Sequence, residues 1–261
     1  MGILNITPDS FSDGGKYFGE GAGLNKAVED ALIMEKCGAD FIDIGGESTR
    51  PGAERVSEEA EMERVIPVIS EVSRKISIPV SVDTYKSRVA EVSLKAGACI
   101  VNDISGFRFD PAIAEVTARS GASCILMHIK GTPGNMQMNP VYDDVTAEVI
   151  SYLQASAEIA RAAGVKQIIV DPGIGFGKTL EHNIELIRSI GELRKLGYPV
   201  LIGLSRKSFI DKITPAAVED RLNGTISANT AAVRYGADIV RVHDVCDNVP
   251  AMRVADKILR N

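Results

Sequence analysis

The residues in this sequence best suited to chemistry are polar groups that end apolar runs. Asp171 opens Asp171-Pro172-Gly173-Ile174-Gly175-Phe176-Gly177-Lys178, directly after the run that begins at Gln167. A buried carboxylate there can accept two parallel hydrogen bonds from a 2-amino-pyrimidinone edge, as presented by a pterin or a guanine, and the glycines let backbone approach a ligand closely. The Walker spacing and its final Ser are not met, so the glycines alone do not define a phosphate loop. Gly203-Leu204-Ser205-Arg206-Lys207-Ser208-Phe209 passes from a strand into a helix, which sets backbone N–H groups, a hydroxyl and a cation where an anion could dock. In Arg241-Val242-His243-Asp244, Arg241 and His243 share a strand face. Two cationic or donor groups side by side suit a diphosphate. Arg50, in Gly45-Gly46-Glu47-Ser48-Thr49-Arg50-Pro51-Gly52, has the planar fork that grips a carboxylate or phosphate. The stretch from Asn5 to Gly15 offers an amide and carboxylates for a hard cation such as Mg²⁺. No Ser-His-Asp arrangement and no H-E-x-x-H zinc signature stands in the sequence. Nothing reads as a covalent nucleophile, so the chemistry implied is binding plus electrostatics.

These groups need a scaffold that brings strand ends together. Strand-like apolar runs are Gly2–Asn5, 41–45, Val80–Asp83, 99–103, 123–128, 167–171, 200–205 and 239–244. Their spacing suits βα units, which need roughly 30 residues or more. Between them lie helical patterns at 24–37, 58–76, 141–163, 180–196, 221–235 and 249–259. Cys37-Gly38-Ala39-Asp40, Ala96-Gly97-Ala98, Ser120-Gly121-Ala122 and Tyr235-Gly236-Ala237-Asp238 each close a helix and open a strand. Strand then helix, eight times, with mostly apolar strands, predicts a parallel sheet buried on both faces. Eight units favour a single-domain α/β fold over residues 1–261, the (β/α)8 TIM barrel, over an open doubly wound sheet. In such a barrel the C-terminal strand ends form the active site. Here they carry Asn5, Asp43, Asp83, Asn102, Asp103, His128, Asp171, Ser205, Arg206, Lys207, Arg241 and His243. His128 reads equally as a satisfied barrel-mouth histidine, and His182 as a solvated helix residue.

Bulk properties narrow the function class. The chain has 261 residues, enough to bury a large core, and its formal net charge of -6 argues against a general nucleic-acid binder. No signal peptide precedes the first motif and no apolar run is long enough to span a membrane, so a cytoplasmic enzyme with no membrane partner is expected. Cys37, Cys99, Cys124 and Cys246 lack metal-ligand spacing and read as buried, reduced thiols.

The strand-end motifs together resemble those of the dihydropteroate synthases. The resemblance rests on Asn5-Ile6-Thr7-Pro8-Asp9-Ser10-Phe11-Ser12-Asp13-Gly14-Gly15, Asp43-Ile44-Gly45-Gly46-Glu47-Ser48-Thr49-Arg50-Pro51-Gly52, Ser81-Val82-Asp83-Thr84, Asn102-Asp103-Ile104-Ser105-Gly106, Met127-His128, the Asp171–Gly177 segment, Ser205-Arg206-Lys207-Ser208 and Arg241-Val242-His243-Asp244. It runs from residue 2 to about 258, with every motif in the family's order. It implies a barrel enzyme that joins 6-hydroxymethyl-dihydropterin diphosphate to p-aminobenzoate with Mg²⁺, and a homodimer. By matching positions, Asp83, Asn102, Asp171 and Lys207 would hold the pterin, with Met127 and Phe176 near it. Asn5, Arg241 and His243 would handle the diphosphate and metal, with Asn5 the metal ligand. Phe11, Thr49, Arg50, Pro51 and Ser208 would form the p-aminobenzoate side, where sulfonamides also bind in this family. Asp83, Asp171, Lys207 and Arg241 are the candidate catalytic groups.

The family normally has a few residues before its first strand, whereas here Met1 leads straight into it, which makes closure of the barrel bottom the point to examine. Two other readings share the barrel. A methyltransferase from methyl-tetrahydrofolate to a corrinoid protein would need no diphosphate site, and the first two loops and Ser205–Ser208 argue for the synthase. A silent pterin-binding module would lack a metal or cation group, and none is missing from the motifs.

Overall fold

The computed structural model describes residues 1–7 and 22–259. Among them, eight strands and ten α-helices alternate: β1 (Gly2–Asn5), α1 (Ala22–Lys36), β2 (Ile42–Gly45), α2 (Glu58–Lys75), β3 (Val80–Asp83), α3 (Ser87–Ala96), β4 (Ile100–Asp103), α4 (Ile113–Arg119), β5 (Ser123–Met127), α5 (Val145–Ala163), β6 (Ile168–Asp171), α6 (Leu180–Arg188), α7 (Ile190–Leu193), β7 (Leu201–Ile202), α8 (Ser208–Ile213), α9 (Leu222–Tyr235), β8 (Ile239–Val240) and α10 (Val245–Leu259). Strands β1 to β6 pair in parallel in sequence order, and β7 pairs with β8. Parallel bridges Val170↔Val200 and Gly2↔Val242 join the two sets and close the ring. The fold is therefore the (β/α)8 barrel and not an open sheet. At the seam, Met1 lies against the last strand: its amino group donates to the Val240 carbonyl at 3.0 Å, and Val242 N–H donates to the Met1 carbonyl at 2.9 Å. Burial lowers that amino group to about 6.

The two-residue period of the strands sorts the side chains. Ile42, Ile44, Val82, Val101, Leu126 and Val170 are buried in one continuous core with the helices. The alternate positions line the barrel interior. Met1, Ile100, Ile125 and Leu201, with Phe41, Ile169 and Ile239, pack into an apolar plug. Two residues further along the same strands stand Asp43, Asn102, Met127, Asp171 and Arg241. One step of the pleat thus changes a dry plug into a polar mouth.

Helix α2 shows how the outer layer forms. Ser57 caps it by accepting the Ala60 N–H at 3.2 Å, Glu58, Glu59 and Glu61 fill the first turn, and Arg74 and Lys75 the last, matching the helix dipole. Its buried stripe, Val65, Val68, Ile69 and Val72, faces the sheet.

Four expectations need correction. The pattern over 180–196 is not one helix: Ser189 leaves helical geometry between α6 and α7, and a 3₁₀ turn, Arg194–Leu196, follows. Helix α10 begins at Val245, a turn before the pattern predicted, with Pro250 inside it. His182 is not simply solvated, because it completes a capping box with Thr179 and stacks edge-on to Tyr142 at 4.9 Å. Cys37 and Cys246 are not reduced thiols but a disulfide, 209 residues apart in sequence and 4.9 Å between Cα atoms. Cys99 is free and exposed, and Cys124 free and buried. No helix of the described residues is long and apolar enough to cross a membrane.

Candidate active site

A cavity of about 440 Å³ opens at the C-terminal ends of the strands. Twelve of the residues singled out from sequence line it: Asn5, Thr49, Arg50, Pro51, Asp83, Phe176, Ser205, Arg206, Lys207, Ser208, Arg241 and His243. Asn102, Met127 and Asp171 are buried in the barrel interior alongside them. Phe11 lies outside the described residues. A larger groove of about 680 Å³ lies outside the barrel among α6, α8 and α9, lined by residues such as Ile187, Phe209 and Ile213. It holds none of the strand-end groups.

Arg241 organises one side of the mouth. Its Nε donates to Asp43 Oδ2 at 2.6 Å and its Nη2 to Asp83 Oδ2 at 2.8 Å, while Asn102 Nδ2 donates to the same Asp43 oxygen at 2.9 Å. Two carboxylates therefore share one guanidinium. Burial, with Asp43 adding repulsion, outweighs Arg241 and pushes Asp83 up to about 7. Asp43 Oδ1 is buried without a hydrogen-bond partner. Asp43, in the sequence one strand-end polar group among several, fixes both Arg241 and Asn102.

The opposite side is built by the loop after β6. Gly173 has φ +67°, and a Cβ there would lie 1.9 Å from the His128 carbonyl oxygen, so only glycine fits. The turn directs the Gly173 N–H onto Asp171 Oδ1 at 2.7 Å. Burial raises the Asp171 carboxyl above the ordinary range, against the opposing pull of Lys207. Lys207 donates to the Ile174 carbonyl and stands 4.5 Å from the Phe176 ring centre. Burial lowers its ammonium to about 8. Beneath this loop the buried Lys178 donates to the carbonyls of Gly173 at 3.0 Å and Phe176 at 2.9 Å and meets His128 Nδ1 at 2.8 Å. His128 is thus a satisfied interior histidine, lowered by burial to about 2. In the sequence Lys178 is only the end of a glycine loop, with nothing local to mark this role.

The third side holds His243 and its neighbours. Ser205 Oγ meets His243 Nδ1 at 3.0 Å and accepts the His243 backbone N–H at 3.2 Å. Burial first, then Arg241 and Arg206, lower His243 to about 3, so it offers a hydrogen bond and not a charge. Arg206 forks onto Asp244 from a left-handed backbone, φ +56°. Asp103 does not join the site. It accepts the N–H groups of Ser105 at 2.6 Å and Phe107 at 3.0 Å and so shapes the turn after β4.

Among the described residues, no cluster of three or more His, Cys, Asp or Glu side chains could hold a metal. Asn5 nevertheless presents a half-buried amide at the rim, among Ser205, Arg241 and His243. An amide oxygen is a hard donor of the kind that supplements ligand oxygens around Mg²⁺.

The chain matches the family model described as "Pterin binding enzyme" over residues 1–243. It is 49% identical over 263 residues to the dihydropteroate synthase of Synechocystis, spanning 100% of this chain and 90% of that one. The Yersinia pestis dihydropteroate synthase, solved as a sulfonamide drug complex, superposes with a TM-score of 0.94 at 42% identity, covering 99% of this chain and 93% of that one. The Clostridium difficile enzyme, solved in the presence of pteroic acid, gives 0.92 at 46% identity over 100% and 96%. With the barrel, the polar mouth and this full-length likeness in agreement, the chain belongs to the pterin-binding enzyme family, among the dihydropteroate synthases, the transferases that add a pterinylmethyl group in folate biosynthesis.

Proposed function

We propose that the barrel mouth joins 6-hydroxymethyl-dihydropterin diphosphate to p-aminobenzoate through two adjoining subsites, giving dihydropteroate and diphosphate. The observation that carries this division is the pairing of two carboxylates, the half-buried Asp83 at the cavity wall and the buried Asp171 beside it, with Arg241 and Lys207, cations that line the cavity. Asp171 and Asn102 offer acceptors and a donor for the amino-pyrimidinone edge. Asp83 takes ring N–H groups, Met127 and Phe176 flank the ring plane, and Lys207 donates from beside Phe176. The likeness to an enzyme solved with pteroic acid supports a mouth able to take a pterin linked to an aminobenzoyl group.

In the reaction the arylamine nitrogen bonds to the pterin methylene carbon as the carbon–oxygen bond to diphosphate breaks, and the nitrogen then loses a proton to solvent. Positive charge spreads into the pterin ring, where Asp83 and Asp171 stabilise it. Negative charge collects on the departing diphosphate, where Arg241 and the neutral His243 donate. This is preorganised electrostatics, which acts most strongly in a site shielded from water. Thr49, Arg50, Pro51 and Ser208 form the arylamine side, with Arg50 matched to its carboxylate. The expected partner in that subsite, Phe11, lies outside the described residues.

Mg²⁺ would be held by the amide oxygen of Asn5 together with oxygens of the bound diphosphate. When bound, it supplies charge neutralisation to the diphosphate oxygens. The same reading takes residues 1–261 as one cytoplasmic domain. It also includes a homodimer, supported by the exposed apolar groove that carries Ile213 and Tyr235.

Titration calorimetry with the pterin diphosphate tests the assignment. Tight binding that Asp171→Asn weakens supports it, and equal binding by that variant would remove Asp171 from the pterin subsite.

A further inference from the structure

Lys86 stands at the start of α3 and carries no residue role in the site described above. Its side chain is buried, and its ammonium reaches three acceptors, the full capacity of the group. Nζ donates to Glu47 Oε2, to the Val56 carbonyl at 2.6 Å and to Glu61 Oε2 at 2.6 Å. Glu47 and Val56 are the two ends of the loop between β2 and α2, and Glu61 is in the first turn of α2. The preceding residue completes the fixture. Tyr85 Oη donates to Glu47 Oε1 at 2.8 Å, and its ring is held edge-on by Phe109 at 5.5 Å. Both oxygens of Glu47 are therefore fixed by consecutive residues of one short segment. At the loop's start, Gly46 packs so closely on α2 that a Cβ would lie 2.6 Å from Val65, and its carbonyl accepts from Arg64 at 2.8 Å.

Between these ends Thr49, Arg50 and Pro51 line the cavity. We propose that Lys86 is a positioning residue for the second substrate: its ammonium draws the two ends of the Glu47–Val56 loop together and so sets the height and direction of Thr49, Arg50 and Pro51 over the arylamine. The proposal rests on assigning those three residues to p-aminobenzoate. Lys86 touches no substrate and makes none of the contacts that organise Asp83, Asp171 or Lys207. Its effect falls on one substrate and spares the other, which a stabilising ion pair alone would not produce.

Lys86→Met leaves two buried carboxylates without their cation, a change that can unfold a protein. The test therefore adds Lys86→Arg and the neutralised combination Lys86→Met/Glu47→Gln/Glu61→Gln, with Arg50→Ala as reference. The KM for p-aminobenzoate is measured at saturating pterin diphosphate, and the pterin Kd by calorimetry. The clamp predicts that the neutralised variant raises the arylamine KM by about tenfold or more, the scale of a lost hydrogen bond to a charged group. Its pterin Kd changes far less, because neither Lys86 nor its carboxylates hydrogen-bond to Asp83, Asn102, Asp171 or Lys207, although Tyr85 packs in the same apolar cluster as Met127 and Phe176. Lys86→Arg recovers most of the loss. An unchanged KM in the neutralised variant, with Arg50→Ala raising it, sinks the clamp alone. An unchanged KM in Arg50→Ala as well takes down the arylamine assignment and the clamp together. Equal weakening of both substrates would make Lys86 a structural ion pair and overturn the proposal.

Discussion

Arg241 Nη2 binds Asp83 Oδ2 at 2.8 Å across 158 residues of sequence, and the same guanidinium holds Asp43 at 2.6 Å. The cation expected to serve the diphosphate is thus held in place by carboxylates at the mouth. Arg241→Ala removes a cation from the mouth and leaves two carboxylates facing each other. Binding of the pterin diphosphate should weaken by about tenfold or more, the scale of a lost charge-assisted contact. Binding of a pterin lacking the diphosphate should change less. Calorimetry with both ligands checks this, and equal losses would place Arg241 on the ring and not on the diphosphate.

The same cluster sets a pH dependence. Asp83, raised by burial to about 7, is a carboxyl whose folded-state value lies above its unfolded one. Its contribution to stability is complete below the unfolded value and is lost as pH rises through about 7. A ligand that donates to Asp83 wants the ionised form, so substrate use rises over that range while the free fold loses this contribution. Lys207, lowered by burial to about 8, gives up its charge on the other side. The profile of kcat/KM for the pterin substrate should be bell-shaped with limbs near those values. Asp83→Asn should flatten the acid limb, and Lys207→Arg should move the basic limb upward.

Asp171→Asn separates function from stability. The amide oxygen can still accept the Gly173 N–H, and the buried charge is gone. Turnover should fall by about 10²–10³-fold, equivalent to roughly 3–4 kcal/mol of transition-state stabilisation. The melting temperature should hold or rise, because burial disfavours the ionised carboxyl. Thermal melts beside steady-state rates check both halves.

The Cys37–Cys246 disulfide closes a loop of nearly the whole chain, joining the end of α1 to the first turn of α10. Disulfides typically contribute about 2–4 kcal/mol, chiefly by restricting the unfolded chain. Cys37→Ser should therefore lower the melting temperature by roughly 4–16 °C in a chain of this size. Reduction of the unmodified protein should act in the same direction. Activity at 25 °C should stay close to the unmodified value, since neither cysteine lines the mouth. Melts with and without a thiol reductant, and the intact mass in each case, test this.

What the sequence made legible follows from locality. The strand period, the apolar runs and the residues ending them are local patterns, so the positions of Asp83, Asp171, Lys207 and Arg241 at the C-terminal side of their strands are legible without coordinates. Strands β7 and β8 are shorter than their apolar runs, because only two residues of each keep the ladder. The Cys37–Cys246 bond could not be read, since nothing in the spacing of two cysteines signals that a closing barrel brings α1 beside α10. The same holds for Asp43 with Arg241 and for Lys86 with Glu47 and Glu61. Each residue has an ordinary local reading, and only their meeting across distant segments gives the role. The last helix begins at Val245, ahead of the 249–259 pattern, and carries Pro250 in its interior.

The most direct measurement is formation of dihydropteroate and release of diphosphate by the purified protein with the pterin diphosphate, p-aminobenzoate and Mg²⁺, with a sulfonamide added as competitor. Product and diphosphate should form in equal amounts, with sulfonamide inhibition relieved by more p-aminobenzoate. Pterin binding without product, or product formation that a sulfonamide does not touch, would contradict the two-subsite reading of this mouth.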